Sequence, residues 1–254
     1  MDARFNVTGV PISLTNWQGA LESVIQRAES RQGGYVCFTN VHVCVMARHD
    51  KRLLEILSDS FRTFPDGKPL AWLGHHQYGK RVSQVAGPDF FPALLHFPGE
   101  RKYRHYFYGG APETLQRLID NIRQDHPDAV IAGYESPPFR QLSKQELQGA
   151  LQRIREARPD FVWVGLGAPK QEYWMAEHWL ELRPALLFGV GAAFDFHAGN
   201  VARAPAWMRK IGMEWLHRLL QDPGRLWRRY LVTNSAFIWY LMVGTLSGKD
   251  KSGK

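Results

Sequence analysis

The chain has 254 residues, 44% apolar and 22% charged, with a net charge of +8. That is enough apolar material for one large α/β domain, or one domain with an appendage, and it excludes a disordered chain. The charge is lopsided: from Val201 onward ten Lys/Arg stand against three Asp/Glu, so +7 lies in that segment and +1 in the rest. Such a segment calls for an anionic partner, whether nucleic acid, an acidic membrane surface or a phosphorylated ligand.

In chain order, a strand over residues 5–10 leads into a helix over 16–31, whose Leu21, Val24, Ile25 and Ala28 share one face. Gly33-Gly34 ends it. A strand over 35–39 and a helix over 41–57 follow, then a strand over 62–65 that stops at Asp66-Gly67. Helices are predicted near 69–78 and 88–96, a strand over 103–108, a helix over 112–126 and a strand over 129–133. Ser143 and Glu146 have the capping-box spacing and open another helix. Residues 161–165 and 185–189 are apolar runs of the kind buried in parallel sheets. Pro205 and Asp222-Pro223 start two short helices rich in Arg, Trp and Leu.

Alternating strands and helices predict a Rossmann-like, mostly parallel sheet with helices on both faces over residues 1–200. Residues 201–246 form a basic amphipathic helical appendage, and 247–254 a flexible tail. The start of the chain has no apolar signal region, and the longest apolar run, 236–244, is too short to span a bilayer. Cys37 and Cys44 have no metal-type spacing and read as small buried residues. A cytoplasmic protein, peripheral on a membrane face, is expected.

Ligands of parallel sheets bind at the carboxyl ends of strands. That rule selects Thr39-Asn40, Asp66-Gly67, the stretch 165–171 and the stretch 189–195. Gly165, Gly167, Gly189, Gly191 and the Gly109-Gly110 pair allow close backbone approach and are candidate nucleotide-binding positions, with Asp195. Lys170 and Gln171 would project near an anion at the helix start. The alternative is a set of tight turns with no ligand. A dinucleotide fingerprint does not fit, since Lys170 and Phe194 stand where glycine is required. Asp66 is either a general base at a cleft mouth or a turn residue capping the next helix. Asp195 and His197 form the nearest metal-type pair, without a third ligand, so no metal is expected. In the basic segment, Arg218, Arg225 and Arg228 among Trp and Leu suit a membrane interface or a diphosphate, or else a helical hairpin with solvated arginines.

The series Gly165-Leu-Gly-Ala-Pro-Lys-Gln-Glu172, Gly189-Val-Gly-Ala-Ala-Phe-Asp195, Arg203-Ala-Pro205 and Gly212-Met-Glu-Trp-Leu-His-Arg-Leu219, with Pro65-Asp-Gly67 and Val85-Ala-Gly-Pro-Asp89, resembles the WecG/TagA/CpsF family of bacterial glycosyltransferases (glycosyltransferase family 26). The resemblance covers nearly the whole chain. It implies an inverting, metal-independent transfer of a hexose-type sugar from a UDP-sugar to a polyprenyl-diphosphate-linked sugar at the inner membrane face, for cell-surface polysaccharide. It implies Asp66 as base, Asn40 and Gln171 as site positions, and Arg218, Arg225 and Arg228 as diphosphate contacts. Two positions depart from the pattern. Gln84 stands where relatives carry Arg, leaving Arg81 as the candidate substitute, and the Thr two residues before Asn40 is displaced to Thr39. The rival expectations are a nucleic-acid-binding protein, against which no recognition motif is present, and an inactive membrane scaffold. The leading expectation has no nucleic-acid partner, and it includes homo-oligomers only if the apolar faces of the C-terminal helices stay uncovered in the monomer.

Overall fold

The computed structural model describes residues 3–97 and 101–246; the expected tail over 247–254 lies outside them. The chain opens with β1 (Arg4–Val7) and β2 (Val10–Ser13), an antiparallel hairpin where one strand was predicted. The reversal is made at Thr8-Gly9, both at positive φ, with the Gly9 amide donating to Asn6 Oδ1 at 2.8 Å. Next come α1 (Trp17–Glu29), β3 (Gly34–Thr39), α2 (Val41–His49) and α3 (Lys51–Asp59). The single helix predicted over 41–57 is broken at Asp50. That residue ends α2 in an extended conformation and caps α3 by accepting from Leu53 N at 3.0 Å.

β4 (Arg62–Pro65), α4 (Lys68–Tyr78), a 3₁₀ turn (Gly79–Arg81) and α5 (Gly87–Leu95) follow. Then come β5 (Arg104–Gly109), α6 (Pro112–Asp125), β6 (Val130–Glu135), α7 (Lys144–Ala157), β7 (Phe161–Gly165), α8 (Lys170–His178), β8 (Leu186–Gly189) and α9 (Ala193–His197). The capping box of Ser143 and Glu146 is formed at the start of α7. The chain closes with α10 (Ala206–Lys210), α11 (Glu214–Gln221) and α12 (Pro223–Leu246).

The main sheet has six strands in the order β4-β3-β8-β7-β5-β6, with parallel pairing at β3–β8, β8–β7, β7–β5 and β5–β6. This is the mostly parallel, Rossmann-like α/β architecture expected. The chain divides into two compact units. One holds Met1–Trp17, Phe38–Ala86 and Arg203–Lys254, the other Gln18–Cys37 and Gly87–Ala202.

In the second unit the apolar strands β5, β7 and β8 supply a buried aromatic core. Trp163 stacks on Phe188 at 4.6 Å, and Phe91 meets Trp163 edge-on at 4.9 Å. Trp163 Nε1 donates to His105 Nδ1 at 3.1 Å, and burial lowers the His105 pKa to about 3, which keeps the ring neutral.

In the first unit α12 lies along α2, burying Leu226, Thr233 and Phe237. His49 Nε2 meets the Tyr240 hydroxyl at 2.7 Å, and the Arg48 guanidinium stands over the same ring at 4.4 Å. Where two short helices were predicted after residue 200 there are three, and the last is 24 residues long. No Gly or Pro interrupts it between Leu226 and Val243. Cys37 and Cys44 are both free and buried.

Candidate active site

Asp66 is the first residue after β4. Its amide donates to Thr39 O at 2.9 Å, its carbonyl accepts from Gln84 Nε2 at 2.6 Å, and Val85 N donates to Pro65 O at 3.0 Å. The peptide is thus gripped on both sides, and the residue itself is half-buried. Gly67, not Asp66, occupies the N-cap of α4, and it makes no side-chain cap hydrogen bond. Gly67 lies against Asn40, whose Oδ1 accepts from Val43 N at 3.2 Å and caps α2. Thr39 is fully buried, and its hydroxyl has no hydrogen-bond partner; its backbone carbonyl is the group that meets Asp66.

The C-terminal segment belongs to the same unit. A Cβ on Gly212 would stand 2.9 Å from Trp72 and 3.1 Å from Lys68, so the link between α10 and α11 rests on α4, the helix that Asp66-Gly67 introduces. Arg218 on α11 is half-buried. Arg228 on α12 is exposed, its guanidinium 5.2 Å from the Trp227 ring. Arg225 stands in the first turn of α12, and its side chain is outside the described residues. Arg81 is exposed on the 3₁₀ turn, whereas Gln84 reaches the Asp66 peptide directly. The sequence offered no signal for one further pair. Burial first, then the nearby Arg229 charge, lowers the His42 pKa to about 4, and both His42 Nδ1 and Arg229 Nε are buried without partners.

In the second unit, Gly109, Gly165 and Gly189 end β5, β7 and β8. Gly109, at φ 117, would place a Cβ 2.7 Å from the Gly165 backbone, and Gly110 N donates to Gly165 O at 3.1 Å. Gly109 is therefore required by the contact between strand ends, whereas a Cβ on Gly165 would stand 2.5 Å from the Phe194 ring. Gly167 and Gly191, both at positive φ, shape the turns into α8 and α9. Lys170, the first residue of α8, is exposed. Gln171 is instead turned inward: its Nε2 donates to Gly189 O at 2.9 Å and to Glu172 Oε1 at 3.0 Å. This corrects the expectation that Gln171 projects beside Lys170 toward an anion. Glu172 is fully buried, Oε2 has no partner, and burial raises its pKa to about 7.

Asp195 on α9 is half-buried; its Oδ1 lies 3.5 Å from Asn200 Nδ2, and its carbonyl accepts from Asn200 N. His197 donates to Pro88 O at 2.8 Å, a packing role for that side of the weighed metal pair. Among the described residues no three His, Cys, Asp or Glu side chains converge as a metal site.

A model of the glycosyl transferase WecG/TagA/CpsF family matches residues 5–251. The chain belongs to this family. A WecG/TagA/CpsF relative from Bacillus subtilis (strain 168) is an N-acetylglucosaminyldiphosphoundecaprenol N-acetyl-beta-D-mannosaminyltransferase. It is 30% identical over 226 residues, covering 89% of this chain and 85% of the relative. A protein of the same description from Bacillus spizizenii (strain ATCC 23059 / NRRL B-14472 / W23) is 30% identical over 222 residues, covering 87% of this chain and 83% of its own length. Membership makes the chain a glycosyltransferase. The burial of Glu172 and its bond to Gln171 are visible only in the fold.

Proposed function

We propose that this chain transfers an N-acetylmannosaminyl group from a UDP-sugar to a polyprenyl-diphosphate-linked sugar, with inversion, without a metal, and with Asp66 as general base. The observation that carries the reading is the Asp66 geometry, a half-buried acid at a strand end, with its peptide held from both sides and Gly67 at the N-cap of the helix that follows. The Asp66 carboxylate takes the proton from the acceptor hydroxyl as that oxygen attacks the anomeric carbon. The bond from that carbon to the diphosphate breaks on the opposite face, and UDP departs with the electron pair. Its growing charge requires cations, a role for Arg218, Arg225 and Arg228. Lys170 and the glycine turns around Gly167 and Gly191 serve the nucleotide-sugar.

The acceptor is lipid-borne, so the enzyme must reach a membrane face. No helix among the described residues is long and apolar enough to cross a membrane. The outward face of α12 carries Trp227, Leu231, Val232, Ile238, Trp239 and Met242, all exposed, beside Arg228. An apolar stripe with flanking arginine suits reversible attachment to an anionic leaflet.

The test is transfer from UDP-N-acetylmannosamine to a synthetic N-acetylglucosaminyl-diphosphate lipid, run with and without EDTA, with the product anomer read by NMR. Inverted product in EDTA supports the reading. Retained configuration or loss of turnover in EDTA overturns it.

A further inference from the structure

Gln171 and Glu172 are adjacent in sequence and both buried, Gln171 at 4% exposure and Glu172 at none. The Gly189 carbonyl can only accept, so the end of the Gln171 amide that lies 2.9 Å from it must be the NH₂. The second NH₂ hydrogen is taken by Glu172 Oε1 at 3.0 Å. Both donors are therefore committed, and the amide cannot flip without losing two hydrogen bonds. What remains is Oε1, which is buried and has no partner. It faces the turn after β8: a Cβ on Gly191, where φ is +48, would lie 3.3 Å from it. A buried acceptor without a protein partner is costly, so it is retained where a ligand completes it. Phosphate oxygens only accept and cannot do so; an N–H or O–H can.

We propose that Glu172 is a positioning residue that, with the Gly189 carbonyl, locks Gln171 so that its amide oxygen receives an N–H or O–H of the sugar nucleotide. This rests on the transferase function proposed above. The glycine turn after β8 thereby reads the uracil imide, a sugar hydroxyl or the acetamido N–H, and leaves the diphosphate to cations. Glu172 performs this whether ionised or protonated on Oε2, because Oε1 accepts in both states.

Calorimetric titration of UDP-N-acetylmannosamine, UDP and inorganic diphosphate against the full chain tests it. Gln171→Leu and Glu172→Leu are expected to weaken the sugar nucleotide about ten-fold and leave inorganic diphosphate unchanged, while Glu172→Gln, which keeps an acceptor oxygen, recovers the affinity. A loss that extends to UDP assigns the contact to uracil, and a loss confined to the sugar nucleotide assigns it to the sugar. Diphosphate weakening in parallel, or unchanged sugar-nucleotide affinity in Gln171→Leu, overturns the proposal. Side-chain amide exchange of Gln171, followed by ¹⁵N NMR, reads the lock without any substrate. It should be slow in wild type and Glu172→Gln and fast in Glu172→Leu; equal rates overturn the role of Glu172. If Glu172→Leu does not fold, Gln171→Leu and the wild-type exchange rate decide. A wild type that binds no UDP-sugar yet shows slow exchange defeats the proposed function and leaves the lock standing.

Discussion

Gln84 donates its side-chain amide to the backbone carbonyl of Asp66 at 2.6 Å. A neutral donor thus holds the peptide of the proposed base. Gln84→Ala should lower kcat/KM about five-fold, the worth of one hydrogen bond of about 1 kcal/mol. Gln84→Arg restores a donor and should stay within about three-fold of wild type. Steady-state kinetics check both, and an unimpaired Gln84→Ala would remove the orienting role.

Asp66→Asn keeps the shape of the side chain and removes the base. Transfer should fall by roughly 10²- to 10⁴-fold, the usual worth of a positioned general base. The circular dichroism spectrum should be unchanged, because the bonds that hold the Asp66 peptide to Thr39 and Gln84 use the Asp66 backbone amide and carbonyl. Full activity in this variant would assign the proton to another group.

Glu172 makes stability depend on pH. Burial raises its pKa from 4.5 to about 7. Below about pH 4.5 it is protonated folded or unfolded and contributes nothing. Between about 4.5 and 7 the unfolded chain releases the proton while the folded chain keeps it, so stability falls as pH rises. Above 7 a penalty of about 3 kcal/mol remains, an upper figure. Denaturant unfolding across pH 4–8 should show a shallower decline for Glu172→Gln and a gain above pH 7. Parallel curves for the two proteins would contradict this.

The outward face of α12 can be tested without disturbing the fold. Leu231 and Trp239 are 61% and 60% exposed. Replacing both with Glu should cut binding to phosphatidylglycerol vesicles at least about ten-fold, since each loses an apolar insertion worth about 2 kcal/mol. The melting temperature should move by only about 1 °C. Removing everything after Asn200 is a poorer test, because it strips α12 from α2 and uncovers the faces that Leu226 and Phe237 bury. Unchanged vesicle binding in the double variant would place membrane attachment elsewhere.

Much of the fold is legible in the sequence. The strands Arg62–Pro65 and Phe161–Gly165 match their predicted limits, since an apolar β-branched or aromatic run that ends at glycine or Asp-Gly has few other solutions. The capping box at Ser143 was equally local. The misjudged elements involve competing local signals. The apolar pattern over 41–57 continues through Asp50, and only the Asp50 side chain bonding to Leu53 N breaks the helix there. The hairpin at Thr8-Gly9 was missed because its two strands are each four residues long, too short for periodicity to resolve.

The sequence by itself determined the α/β class, the family, the basic C-terminal segment and the position of Asp66 at a strand end, because each depends on residue order and local chemistry. Tertiary structure alone decided what the individual groups do. It made Asp66 a residue held by Thr39 and Gln84, with Gly67 at the N-cap of α4, and it set the Gly212 turn on α4 and α12 along α2. It also turned Gln171 inward onto Gly189 and Glu172, leaving one oxygen unpaired. The physical reason is that burial and hydrogen-bond partnership are properties of neighbours distant in sequence. A glutamine reads the same in any motif until a carbonyl eighteen residues away accepts its N–H.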